Sequence, residues 1–230
     1  MKFAKATLFL LLISTRLVLA QTYTNSYNLA PNQIIPDANP VGITSSTNVS
    51  GVSGYIQNVV VTLNITGGFN GDLYAYLVDP AGHLSVLMNR AGVGNANPFG
   101  YFNAGFNITL DDSGSANNLH FYQNFSPSYS GSQLVGTWSA DGINISPNSS
   151  PSAFDAASSV AGLSLFNSDL PNGAWTLFLA DLSGGGQSTL VSWGLQIVTV
   201  PEPKDWLLFL SGFSLLSLAS LRRLFRKAGK

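Results

Sequence analysis

Residues 172–200 read NGAWTLFLADLSGGGQSTLVSWGLQIVTV. Trp175, Leu177 and Leu179 alternate with Thr176, Phe178 and Ala180. After Gly184-Gly185-Gly186 the alternation resumes, with Val191, Trp193, Leu195 and Ile197 on one side through to Val200. A period of two sends successive side chains to opposite faces, which is the signature of a strand with one buried face. Asn172-Gly173 and the triple glycine supply turn chemistry at the strand ends. The stretch therefore predicts two strands separated by a flexible turn.

The same signature recurs upstream. Val59, Val61, Leu63 and Ile65 alternate with Val60, Thr62 and Asn64, and Gly67-Gly68 with Asn70-Gly71 then turn the chain. In the next strand Leu73, Ala75 and Leu77 face the predicted core and leave Tyr74, Tyr76 and Val78 on the other face. Asp79-Pro80-Ala81-Gly82 is a turn with proline at its second position, followed by a short strand from Leu84 to Met88. Phe106, Ile108 and Leu110 mark another strand, ending at Asp111-Asp112. Residues 89–105 are loop-rich and carry Phe99, Tyr101 and Phe102. Residues 113–158 are polar and turn-rich, broken by Phe121, Tyr122, Phe125 and Trp138. Residues 21–50 read as an extended lead-in, punctuated at Ile35-Pro36-Asp37 and Asn39-Pro40. Short strands between Gly, Pro and Asn turns, with no helical period, predict an all-β sandwich. A jelly roll is the expected topology, with an immunoglobulin-like sandwich as the alternative.

Charged residues make up 9% of the 230, far below the usual quarter, and the net charge is −1. That balance gives no electrostatic reason to expect nucleic acid. There is no cysteine, which excludes a disulfide framework and a thiol enzyme. Stability must come from core burial, or from burial with a bound ion. The surface polarity must come from Asn, Ser, Thr, Gln and Gly, a composition common on extracellular and lectin-like domains.

The two ends differ from the middle. Residues 1–20 read as a signal peptide. Lys2 and Lys5 start it, Leu8 to Ile13 form its apolar centre, and Val18-Leu19-Ala20 offers a cleavage site before Gln21. Arg16 sits unusually late for such a segment. Residues 200–230 fall into three parts. Pro201-Glu202-Pro203 is stiff and unsuited to a sheet interior. Trp206 to Leu221 is almost wholly apolar, and Arg222, Arg223, Arg226, Lys227 and Lys230 close the chain. The apolar run is short against the roughly twenty residues of a full span, a deficit that tilt or bilayer thinning accommodates. Basic residues stay on the cytoplasmic side, which leaves everything before them outside.

In motif, spacing and order this tail resembles the PEP-CTERM sorting signal of exported bacterial proteins. The resemblance implies that Pro201, Glu202 and Pro203 are the recognition motif of an exosortase. Trp206 to Leu221 would then be a temporary inner-membrane anchor, and the basic residues its stop. The alternative is a permanent C-terminal anchor.

A second resemblance lies in the middle. Gly71-Asp72-Leu73, Asp79-Pro80-Ala81-Gly82, Asn172-Gly173-Ala174-Trp175-Thr176-Leu177, Asp181, and Leu190 with Ser192-Trp193-Gly194-Leu195 resemble the P/Homo B domain of proprotein convertases. Ile35-Pro36-Asp37 is similar to the lead-in of its bacterial relatives. The resemblance spans residues 33–198, leaving 21–32 as lead-in, and implies a jelly-roll sandwich. In convertases this module follows and supports a protease domain. No such domain precedes it in this sequence, so that supporting role is not expected here.

Three sets of residues are candidates for chemistry. His83 falls in a turn and His120 in a polar loop, and no G-x-S-x-G elbow accompanies them. The expectation is a non-enzyme, with an accessory or small hydrolase as the alternative. Asp72, Asp79, Asp111, Asp112, Asp141 and Asp181 sit in or beside turns. Loop carboxylates suit calcium, and Asp111 with Asp112 is the candidate for a structural ion. Asp72 and Asp79 are expected to bond nearby backbone instead. Tyr74 and Tyr76, with Tyr101 and its neighbours Phe99 and Phe102, are a candidate platform for sugar rings or a partner protein, the alternative being a second packed layer. Together these readings predict an exported sandwich of the cell surface or biofilm matrix. Its expected partners are an exosortase-like enzyme, the inner membrane in transit, and exopolysaccharide or envelope glycans.

Overall fold

The structure, a computed structural model, describes residues 22–200. The segment read as a signal peptide lies outside the described residues. So do Pro201, Glu202, Pro203, the Trp206–Leu221 run and the basic cluster Arg222, Arg223, Arg226 and Lys227. Among the described residues no helix is long and apolar enough to cross a membrane.

Among the described residues eleven strands form two sheets. In chain order they are β1 (Tyr23–Leu29), β2 (Gln33–Ile35), β3 (Asn39–Val49), β4 (Tyr55–Gly67), β5 (Leu73–Val78), β6 (Leu84–Asn89), β7 (Phe106–Asp111), β8 (Ser128–Ser130), β9 (Gln133–Trp138), β10 (Gly173–Asp181) and β11 (Ser188–Val200). The larger sheet runs β1-β11-β4-β7-β9-β8, with β2 also on β11. The smaller runs β3-β10-β5-β6. All pairs are antiparallel except β7 with β9. Among the described residues the one α-helix, α1 (Pro151–Ala156), is a single short piece with proline at its start.

The sheets close on a shared apolar core. From the larger sheet come Val59, Val61, Leu63 and Ile65 of β4, Phe106, Ile108 and Leu110 of β7, and Trp193, Leu195 and Ile197 of β11. The smaller sheet contributes Leu73, Ala75 and Leu77 of β5 and Trp175, Leu177 and Leu179 of β10. These are the positions that the period-two pattern assigns to the core. Full burial of a Leu-sized side chain stabilises by roughly 1.5–3 kcal/mol, and with no disulfide this burial is the dominant favourable contribution. Both core tryptophans keep their N–H satisfied: Trp175 Nε1 donates to Pro171 O at 2.9 Å and Trp193 Nε1 to Ser45 Oγ at 2.9 Å.

Three features depart from the sequence expectations. The stretch read as lead-in supplies β1, β2 and β3. β1 pairs residue for residue with β11, from Tyr23 opposite Thr199 to Leu29 opposite Trp193. Its alternation is invisible because an edge strand built of Asn, Ser and Tyr has little to bury. In β11, a register shift between Leu190 and Ser192 reverses the phase, so Leu190 is buried and Val191 is not. A bulge adds one residue and turns the following side chains to the other face. Within 113–158, the polar run hides β9, which joins the sheet through Leu134 and Trp138.

Candidate functional site

The outward rings of the smaller sheet meet one another. Register places Tyr76 opposite Phe178, and Tyr74 opposite Ala180. Tyr76 and Phe178 stack at 4.7 Å between centroids, and Tyr74 leans on both, 5.7 Å from Tyr76 and 6.3 Å from Phe178. All three are half-buried. Gly42 borders them, with φ +59° and no room for a Cβ beside Phe178. Burial, helped by the neighbouring Tyr76 and Asp141, holds the Tyr74 hydroxyl above its ordinary pKa.

Tyr101 belongs to a different place. Its ring packs edge-on to the buried Tyr122 at 4.6 Å, and Gly92 lies directly against it. Phe99 and Phe102 remain exposed, at 69% and 63%, and Phe102 leans on Phe69. The loop holding them encloses an open pocket of about 430 Å³ lined by Asn97, Gly100, Tyr101, Phe102, Asn103 and Gln123. Asn103 Oδ1 accepts from Tyr122 Oη at 3.0 Å and from Gln123 Nε2 at 2.7 Å, which fixes the carboxamides on the pocket wall. The structure thus brings Tyr74 and Tyr76 together and sets Tyr101 in a second, amide-lined site. Gln123 and Asn103 carried no signal in the sequence, since their polar neighbours look the same as they do.

The acids separate as well. Asp112 accepts from Ala140 N at 2.8 Å and from Leu163 N at 2.6 Å, one bond to each carboxylate oxygen, and so ties two loops together. Asp111 accepts from Asn58 Nδ2 at 3.1 Å and Ser113 N at 2.9 Å. Burial acts to raise its pKa, but hydrogen bonds from the Ser113 side chain, the Ser113 amide and Asn58 outweigh it and hold the carboxyl below the ordinary value. The two neighbours accept from different partners. Asp181 is fully buried with Oδ2 lacking a hydrogen-bond partner. Burial, with the nearby charges of Asp72 and Asp37, pushes its carboxyl up to about 6, against the pull of the Ser183 amide.

Both histidines are paired with carboxylates. His120 is buried, not exposed on a loop. A short 3-10 segment, Leu119–Phe125, starts at Asn118, whose side chain accepts from His120 N, and turns the ring inward. Its Nδ1 lies 2.8 Å from Asp141 Oδ2, its Nε2 lies 3.1 Å from Val93 O, and its ring stacks on Phe154. His83 stays at the surface, with Nδ1 2.7 Å from Asp169 Oδ2 and 3.6 Å from Asp79 Oδ2. Asp169 comes from 86 residues away, so no local pattern could announce it.

No family model matches the chain, and no curated protein matches it. Among solved structures, the chain is similar to the serine protease of Aeromonas sobria, both alone and in complex with the chaperone ORF2. In each case the identity is 14% and the TM-score 0.45, over 79% of this chain and 28% of that one. The chain therefore spans under a third of the length of the proteases it matches.

Proposed function

We propose that the chain is exported, held transiently at the inner membrane by its last thirty residues, and passed by an exosortase-type peptidase to the bacterial surface or extracellular matrix. There the sandwich acts as a non-catalytic module, by binding or by structural packing. The observation that carries this reading is the order Pro201-Glu202-Pro203, apolar Trp206–Leu221, then Arg222, Arg223, Arg226 and Lys227. The fold is in keeping with it, because β11 runs to Val200 and hands the chain straight to Pro201.

The sandwich is read as a jelly roll of P/Homo B type. In support, the resembling motifs fall at strand starts, in a turn and within a central strand: Gly71-Asp72-Leu73 opens β5, Asp79–Gly82 turns β5 into β6, Gly173 opens β10, and Ser192–Leu195 lies in β11. The non-catalytic reading is supported by the histidine contacts. His120 Nε2, the nitrogen that a hydrolytic triad turns to a serine hydroxyl, is directed at a backbone carbonyl.

Replacing Pro201, Glu202 and Pro203 together with alanine tests the sorting step. The expected result is a chain that accumulates uncut in the inner-membrane fraction while the parent reaches the surface. Normal surface delivery of the variant would remove the exosortase from the account.

A second reading makes the module a carbohydrate binder. It is favoured by the pocket at Tyr101 and Phe102, where an exposed ring stands beside the carboxamides of Asn97, Asn103 and Gln123. Rings stack on sugar faces and amides pair with hydroxyls, the combination such ligands require. Retention of the chain on exopolysaccharide from its host, lost on Phe102→Ala, is the expected result.

A further inference from the structure

The turn between β5 and β6 carries two of the three groups of interest. Asp79 and His83 stand four residues apart on it, and Asp169 reaches them from the segment that precedes β10. Asp79 Oδ1 accepts from His83 N at 2.7 Å, which fixes the carboxylate and decides where Oδ2 points. Asp79 is 3% exposed, and its Oδ2 has no hydrogen-bond partner. A buried carboxylate oxygen left unmatched costs stability unless a cation meets it. The group facing it is the His83 imidazole, 3.6 Å away. One ligand atom from each of Asp79, His83 and Asp169 can be chosen so that all lie within 4.8 Å of one another.

Backbone contacts hold the third ligand in place. Asp169 O accepts from Ile56 N at 2.9 Å, and Asp169 N donates to Phe166 O at 3.2 Å. Gly173, just downstream, packs so closely on Pro80 that a Cβ there would stand 2.7 Å from the proline ring. The two segments are therefore already in contact, and the three side chains converge at their junction.

We propose that Asp79, His83 and Asp169 bind a divalent first-row transition metal, of which zinc is the type, and that the ion clips the β5–β6 turn to the segment entering β10. The donor chemistry selects the metal. Two carboxylates and one neutral imidazole match a doubly charged ion. An imidazole nitrogen suits zinc, copper, iron or nickel, whereas calcium, magnesium and manganese favour oxygen ligands. The ion replaces the proton between His83 Nδ1 and Asp169 Oδ2. Bonds of about 2.0–2.1 Å in a tetrahedral arrangement set these two atoms roughly 3.3 Å apart, wider than now. The His83 side chain is 53% exposed and can swing by that amount. The same exposure lets the ion enter from solvent and lets water complete its coordination.

The test is calorimetric titration of the full chain with Zn²⁺, in metal-free buffer near neutral pH, using protein purified without a polyhistidine tag. The account expects one ion per chain, a rise in melting temperature with Zn²⁺, and no displacement by excess Ca²⁺. His83→Ala and Asp169→Asn should each weaken binding by about tenfold or more. Both side chains lie at or near the surface, so both variants should melt cooperatively without metal, which separates loss of the site from loss of the fold. Absence of one-to-one binding, variants that bind as the parent does, or ready displacement by Ca²⁺ would each overturn the assignment.

Discussion

His120 Nδ1 and Asp141 Oδ2 meet at 2.8 Å with both side chains closed off from solvent. The other ring nitrogen faces Val93 O, so two acceptors confront one imidazole, and the doubly protonated ring satisfies both. Burial works against that charge, but the Asp141 hydrogen bond and charge, the Val93 carbonyl and the more distant Asp155 outweigh it. The His120 pKa is raised above its ordinary value.

A histidine whose folded pKa is raised stabilises the fold fully below its unfolded value, about 6.5, and loses that contribution as pH rises through the folded value. Urea denaturation of the parent is therefore expected to show stability falling as pH rises above about 6.5. His120→Ala should flatten that slope. It should also cost about 3–5 kcal/mol near neutrality, because Asp141 is left as an unpaired buried charge. An unchanged slope in the variant would contradict the pairing.

Asp181 offers the opposite substitution. Its buried carboxyl titrates at about 6 in the fold, against about 3.9 in an unfolded chain. The proton is held more tightly by the folded state, so the associated stability is present below the unfolded value and is lost as pH rises through about 6. Asp181→Asn removes the ionisation and nearly keeps the shape. In metal-free buffer above neutrality the variant should melt at a higher temperature than the parent, with the difference shrinking toward acid pH. A lower melting temperature at every pH would show that the carboxylate has a cationic partner.

Asp112 decides whether its neighbourhood is held by hydrogen bonds or by calcium. Each carboxylate oxygen takes one backbone amide, from Ala140 or Leu163. Asp112→Ala leaves two buried amides without acceptors, at about 1–3 kcal/mol each. Adding Ca²⁺ to the metal-free parent should leave the melting temperature unchanged if these bonds are the whole role. A clear rise, abolished by Asp111→Ala, would instead place an ion beside the pair.

The two aromatic sites should respond differently to truncation. Tyr76 is half-buried and stacked on Phe178, so Tyr76→Ala is expected to lower stability by at least about 0.5–1.5 kcal/mol through the lost ring pair. Phe102 is mostly exposed, and Phe102→Ala should leave the melting curve where it is while abolishing retention on host exopolysaccharide. Intact retention in the Phe102 variant, with loss in the Tyr76 variant, would move the binding surface to the smaller sheet.

How far the sequence carries depends on what each residue buries. β4, β5, β7 and β10 were legible because their inward positions are Val, Ile, Leu, Phe and Trp against polar or aromatic alternates. β1 was not, since an edge strand of Asn, Ser and Tyr has no apolar rhythm. β9 was lost in its polar surroundings, and its parallel pairing with β7 leaves no local trace. The bulge after Leu190 could not be read, because a phase reversal looks the same as one continuous alternation starting at Val191. Among site residues, Tyr74 and Tyr76 were placed together by spacing alone. Tyr101 was grouped with them on chemistry, but the loop after β6 carries it elsewhere. The His83–Asp169 and His120–Asp141 pairs join residues 86 and 21 positions apart, and such contacts arise only from the closed topology.

The most direct test of the central claim is the intact mass of the mature protein, taken from the surface and membrane fractions of its native host. The account predicts a surface species lacking residues 1–20 and the segment after about Pro203, with any added mass identifying its attachment. A species that keeps Trp206–Leu221 and the basic cluster in every fraction would contradict it, and would make the chain a permanently anchored protein of the inner membrane.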